Sequence, residues 1–148
     1  MTLQVEKLIS MYNRSIREYL NKRLKDWPLN ESNFYYILII CEHPGMAQKD
    51  LVNGIYRQQS IVTKVVTTLI KAGWVDMRTD PNDKRRRNVF PTDQATAAYA
   101  ALKQIQTDAN AFALSGLNGA EVSQLSALLA KAIQQTVPDA HLTKEDIN

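Results

Sequence analysis

The chain has 148 residues, 45% apolar and 22% charged, which suits one compact domain of roughly 100 to 150 residues with or without helical extensions and excludes global disorder. The apolar run over residues 35–41 stops far short of the roughly 18 residues a bilayer span needs, and Glu6 with Lys7 breaks any signal-peptide core, so a cytoplasmic protein with no membrane partner is expected. A single cysteine, Cys41, excludes an intrachain disulfide and a multi-thiolate metal site.

In chain order, Val5, Leu8, Ile9, Tyr12, Ile16, Tyr19, Leu20 and Leu24 recur every three or four residues. They predict an amphipathic helix over about residues 4–25, stopped at Asp26, Trp27 and Pro28. Asn30 is placed to cap a second helix, with Leu29 and Phe34 as a hydrophobic staple; apolar nearly all round, that helix should sit in the core until Pro44-Gly45 ends it. A short third helix fits residues 47–53, with Gly54 as a tight turn, and a fourth fits residues 57–72, closed by Gly73 in a left-handed conformation.

Alternation then replaces helical spacing. Residues 74–79, a turn of Asp80-Pro81-Asn82-Asp83 and a second extended run over residues 87–91 predict a β-hairpin with a charged tip. Thr92 caps a long fifth helix with an inward stripe of Ala95, Tyr99, Leu102, Ile105 or Gln106, Ala109 and Phe112. Asn118 and Glu121 form a capping box for a sixth, stapled by Leu117 and Val122, whose apolar face runs from Val122 through Leu125, Leu128 and Leu129 to Ile133 before Pro138 ends it. The expected fold is mainly α with a small two- or three-stranded antiparallel sheet, a winged helix-turn-helix with long N- and C-terminal dimerisation helices. The apolar faces of the long helices exceed what a winged helix alone covers, so the chain should pair with itself.

Charge is unevenly placed. Residues 1–42 carry 6 Lys+Arg and 5 Asp+Glu, residues 43–92 carry 9 and 4, and residues 93–148 carry 3 and 6. A basic middle between near-neutral and acidic ends suits a polyanion contact set between interaction helices, against the plainer reading of a solvated face. On the fourth helix, Val62, Val65, Val66 and Leu69 share one side, while Arg57, Ser60, Lys64, Thr67, Thr68 and Lys71 make an acid-free opposite face. Arg57, Gln58, Gln59, Ser60, Thr63 and Lys64 occupy its first turns, with Arg57 suited to guanine, the glutamines to adenine, and the hydroxyls to bases or phosphates. In the hairpin, Lys84, Arg85, Arg86 and Arg87 are expected on both sides of an extended strand, outward guanidiniums entering a narrow minor groove. Asp83 is expected to hold Arg85 or Arg86 by a charged hydrogen bond.

Three local features make residues 29–92 resemble the MarR family of bacterial transcription regulators. Leu51 followed by Ser60-Ile61-Val62-Thr63-Lys64 and Leu69-Ile70-Lys71-Ala72-Gly73-Trp74-Val75 looks like its recognition helix and wing entry. Asp80-Pro81-Asn82-Asp83-Lys84-Arg85-Arg86 looks like its wing signature, and Val89-Phe90-Pro91-Thr92 like the lead into its fifth helix. The resemblance implies an obligate homodimer through the first, fifth and sixth helices, binding pseudo-palindromic operator DNA as a repressor released by a small, possibly aromatic effector. It implies Arg85 as the minor-groove residue and Asp83 as its tether. The implied division is residues 1–28 for the N-terminal dimerisation helix, 29–92 for the DNA-binding lobe and 93–148 for the C-terminal dimerisation helices. Met77 departs from the family's frequent arginine there, and Pro91 from its usual leucine.

An effector pocket lined by Tyr12, Tyr19, Trp27, Tyr35, Tyr36 and Phe112 is a candidate, against the reading of these as plain core residues. Cys41, inside an apolar run, is expected to be a core thiol, and His43 and His141 lie too far apart for a metal site. With no phosphate loop, nucleophile elbow or paired-histidine motif, no catalytic residue, cofactor or metal is expected. The competing function is a winged-helix module that dimerises and holds a protein or RNA; two cationic surfaces favour DNA.

Overall fold

In the computed structural model, which describes residues 3–55, 58–137, 140 and 142, the apolar periodicities become α1 (Val5–Leu24), α2 (Phe34–Glu42), β1 (Met46–Ala47), α3 (Gln48–Ile55) and α4 (Gln59–Lys71). The hairpin strands β2 (Val75–Thr79) and β3 (Arg87–Pro91) follow, then α5 (Asp93–Ala113) and α6 (Gly119–Thr136). The mainly helical winged fold with a small antiparallel sheet is as expected. The chain forms two compact units, Met1–Ala113 and Leu114–Asn148.

In the first unit the core is built on α2. Phe34, Tyr36, Ile37, Leu38 and Ile40 are buried, joined by Leu20 and Leu24 of α1, Leu51 of α3, Val62, Val66 and Leu69 of α4, and Val75 and Val89 of the hairpin. α5 completes it with Ala95, Ala98, Leu102, Ile105 and Ala109, so packing runs unbroken through residue 92. Each fully buried aliphatic side chain contributes about 1.5–3 kcal/mol, and this shared core fixes how α3, α4 and the wing stand to one another.

Three expectations are corrected. α2 begins at Phe34, one turn later than a helix capped by Asn30 would; the Asn30 side-chain oxygen instead accepts the Ser32 and Asn33 N–H groups at 2.9 and 3.0 Å, closing the turn before the helix. Gly54 makes no turn, because α3 runs through it to Ile55. Phe112 lies 42% exposed at the end of α5, while Ala98 joins the buried stripe in a place the 3.5-residue spacing passed over. The sheet has three strands, within the two or three expected: β1 supplies the third, in the order β1-β3-β2, with Met46 opposite Val89 and Ala47 opposite Asn88. Two residues are too few for alternation to register. Gly45 permits that entry: its φ is +85°, its N–H donates to the Val89 carbonyl at 2.8 Å, and a Cβ there would meet the Phe90 ring at 3.3 Å.

The hairpin is paired from Val75 opposite Pro91 to Thr79 opposite Arg87, starting one residue after the expected Trp74. Gly73, with φ +82°, ends α4, the next N–H reaching back from Trp74 to the Leu69 carbonyl at 2.9 Å. Thr92 caps α5 by accepting the Ala95 N–H at 3.2 Å, and its hydroxyl donates to the Gly73 carbonyl at 2.7 Å, tying both ends of the hairpin together.

The second unit contains α6, opened by the expected capping box: the Asn118 side chain accepts the Glu121 N–H at 2.9 Å, and Glu121 accepts the Asn118 N–H at 3.0 Å. None of the helix's residues is buried, and Leu128 is 65% exposed. The expected stop at Pro138 lies outside the described residues.

Candidate nucleic-acid interface

α4 turns Val62, Val66 and Leu69 into the core and leaves Gln59, Ser60, Thr63, Lys64, Thr67, Thr68 and Lys71 exposed. The 100° advance per residue predicts this partition. Gln58 precedes the helix in an extended conformation, its carbonyl accepting the Val62 N–H at 3.1 Å. Arg57 lies outside the described residues. The hydroxyls on this face are not equivalent. Thr67 donates to the Thr63 carbonyl at 2.8 Å and Thr68 to the Lys64 carbonyl at 3.0 Å, whereas the Thr63 hydroxyl oxygen accepts the Gln48 side-chain amide at 2.9 Å.

Between this helix and the wing lies a recess of about 510 Å³ lined by Ala47, Gln48, Lys49, Gln59, Thr63, Asp83 and Arg85 to Arg87. Four cations face it against one carboxylate, Asp83. The fold thus brings Gln59 and Thr63 together with Asp83, Arg85, Arg86 and Arg87, and adds Gln48 and Lys49 from the start of α3. The sequence reading passed over those two, treating the third helix as packing only; a polar Gln48-Lys49 pair ahead of the inward Leu51 was the available signal.

The wing tip departs from expectation. Lys84 and Arg85 lie in a turn, and of the four consecutive cations only Arg87 belongs to a strand. Asp83 does not hold a guanidinium: its carboxylate accepts the Arg85 backbone N–H at 3.0 Å, so it tethers Arg85 through the main chain. The acid that engages an arginine is Asp80. Its carboxylate accepts from Asn88 at 3.0 Å and from the Asn82 N–H at 2.8 Å and lies 3.7 Å from the Arg86 guanidinium, which also donates to Asn88 at 3.1 Å. These contacts, the Asn88 hydrogen bond first, hold the Asp80 carboxyl below the usual range. In the sequence Asp80 reads only as a turn former, because the wing signature implies Asp83 as the tether. Arg78 stacks its guanidinium over the Phe90 ring at 4.4 Å, and Arg87 lies 3.8 Å from the Met77 sulfur. Among the described residues, the Lys84 ammonium and Arg85 guanidinium have no intramolecular partner.

The six aromatics expected in one effector cleft do not share one set of surroundings. Tyr36 is 2% exposed in the core. Tyr19 stacks on Phe112 at 4.6 Å, and the Tyr12 hydroxyl donates to the Ala113 carbonyl. Tyr35 packs its ring on Phe34, and burial pushes its phenol up. Trp27 borders a recess of about 360 Å³ with Trp74, Asp26, Pro28 and Gln94. Cys41 is half-buried, and burial together with the adjacent Glu42 pushes its thiol up, away from reactivity. Among the described residues no group of three metal-ligating side chains converges and no helix is long and apolar enough to cross a membrane; His141 lies outside them.

A helix-turn-helix on a shared core with a three-stranded wing beside its second helix defines a winged helix-turn-helix protein. The chain matches the MarR family model over residues 29–86, the helix-turn-helix and most of the wing. It is 26% identical over 137 residues to YybA of Bacillus subtilis (strain 168), an uncharacterized HTH-type transcriptional regulator, covering 93% of this chain and 91% of the relative. A Listeria monocytogenes structure described as a MarR family transcriptional regulator complexed with 26mer DNA is similar with a TM-score of 0.82 at 25% identity, over 94% of this chain and 92% of that one. The structure of the transcriptional regulator SlyA has the same fold, with a TM-score of 0.85 at 22% identity over 93% and 96% of the two chains.

Proposed function

We propose that the chain is a homodimeric repressor that binds pseudo-palindromic duplex DNA, with α4 in the major groove and the wing tip in the minor groove. The recess carries this reading: cations from α3 and the wing border the acid-free face of α4, so one duplex can meet base-reading and phosphate-binding groups together. Similarity to a regulator described in complex with DNA supports it. In this reading Gln58, Gln59, Ser60, Thr63 and Lys64 read bases, with Arg57 just ahead of them. Arg85 and Lys84, whose charged groups are unengaged among the described residues, take the minor groove and phosphates; Arg86 and Arg87 shape the wing.

Dimerisation rests on surplus apolar surface. Leu3, Val5, Leu8, Ile9 and Met11 near the start of the chain are each at least 53% exposed, and α6 buries no residue, so a second copy is the cover these faces fit. Residues 1–28 and 93–148 then serve the dimer and residues 29–92 the DNA. A small aromatic effector releases DNA by changing the spacing of the two lobes, which must match successive major grooves about 34 Å apart. The Trp27 and Trp74 recess is the place we assign to it, in preference to the six-residue cleft.

The test is a mobility-shift assay with the protein's own upstream intergenic duplex and a scrambled duplex across a salt titration. Tighter binding to the upstream duplex, with a steep salt dependence on both, is expected; equal, weak and salt-insensitive binding overturns the proposal.

A further inference from the structure

We propose that Gln48 and Thr63 form one reading unit, in which Gln48 orients the Thr63 hydroxyl to offer its hydrogen to an acceptor on a base edge. The proposal rests on the DNA-binding reading above and goes beyond it by assigning a donor to one position of α4 and a positioning role to a residue of another helix.

Helical threonines ordinarily donate to the carbonyl four residues back, as Thr67 and Thr68 do here. Their hydrogens are committed, and they present lone pairs outward. Thr63 differs: its oxygen accepts from the Gln48 amide at 2.9 Å, and among the described residues its hydrogen has no protein acceptor. An amide nitrogen has no lone pair to accept with, so this contact can only be Gln48 donating and Thr63 accepting. The hydroxyl hydrogen then points away from Gln48, and Thr63 lines the recess that α4 shares with the wing arginines. Gln48 is held there because it is the first residue of α3, which the buried Leu51 anchors to the core.

In the major groove, purine N7, guanine O6 and thymine O4 accept, whereas cytosine presents only an amino donor. A donor at Thr63 therefore favours the former at the base it meets and disfavours cytosine. Thr67 and Thr68 have the opposite character.

The experiment selects duplexes from a random-sequence library with the full-length protein and compares base preferences of wild type, Gln48→Ala, Thr63→Val, the double variant and Gln48→Glu, with circular dichroism confirming that each is folded. Thr63→Val should flatten the preference at one base pair by roughly fivefold, the size of a single net hydrogen bond. Gln48→Ala should weaken the preference at that pair and nowhere else, and the double variant should look like Thr63→Val alone. Gln48→Glu, whose carboxylate accepts the Thr63 hydrogen, should shift that position toward an amino-bearing base whatever its effect on total affinity. Additive effects of the two substitutions, or an unchanged preference in Gln48→Ala and Gln48→Glu, would overturn the unit while leaving DNA binding intact. A wild-type protein that selects no sequence would remove both readings.

Discussion

α5 and α6 carry the same sequence signature, an apolar stripe at helical spacing behind an N-terminal cap, yet α5 buries five residues and α6 none. α5 meets α1, α2 and the hairpin within its own unit, so its stripe belongs to the core that orients the reading helix. α6 has the stripe without the burial. Amphipathicity reports that a face needs a partner and does not say which chain supplies it.

Substituting the two stripes separates their roles most sharply. Leu102→Ala in α5, at 0% exposure, should lower unfolding free energy by about 2–5 kcal/mol, read from urea denaturation, and the loss should be the same at every protein concentration. Leu129→Glu in α6, starting from 42% exposure, should leave the lobe folded by circular dichroism but shift sedimentation from dimer to monomer and abolish the concentration dependence of the unfolding midpoint. A Leu129→Glu protein that sediments as wild type would show that the α6 face is not the dimer's.

Local rules reached most of the lobe. The hairpin turn, the Gly73 stop, the Thr92 cap and the Asn118–Glu121 box were all legible because each is signalled by residues a few positions apart along the chain. What escaped depends on distant partners. β1 exists because Val89 and Asn88, more than forty residues on, pair with Met46 and Ala47. Gln48 joins the candidate site because α3 and α4 pack so that it meets Thr63, fifteen residues away. The proposed aromatic cleft failed for the same reason: six aromatic residues were grouped by type, and tertiary packing placed Tyr36 in the core and Trp27 at another recess.

Within the wing the contrast between Arg85 and Arg86 makes a finer test. The Arg85 guanidinium has no intramolecular partner among the described residues, whereas that of Arg86 is engaged by Asp80 and Asn88. Arg85→Ala should weaken binding to specific and non-specific duplex alike and make the salt slope shallower by roughly one, the signature of a lost phosphate contact. Arg86→Ala should weaken binding less and leave the slope nearer wild type, since that guanidinium holds the loop. Equal slopes for both variants would mean that the wing's internal contacts do not persist on DNA.

The smallest effect concerns the acid that holds the wing. The Asp80 carboxyl is lowered from its usual value of 3.8, chiefly by the Asn88 hydrogen bond and then by the Asn82 N–H. A depressed folded-state pKa means that the carboxylate's contribution is fully present above the unfolded value and is lost as pH falls through the folded one. The wing should therefore keep its arrangement throughout the neutral range and loosen only below pH 3.8, as Asp80 takes up a proton. NMR of the Asn82 and Arg86 amides in an acid titration reads this directly: their shifts should move together with a midpoint below 3.8. In Asp80→Asn that shared transition should disappear. Because the half-buried Asp80 holds only the wing turn and lies outside the core, the substitution should barely move global stability. Its consequence belongs to the wing alone: without the Asp80 charge Arg86 keeps its Asn88 hydrogen bond but loses its ion pair, and non-specific DNA binding should strengthen slightly.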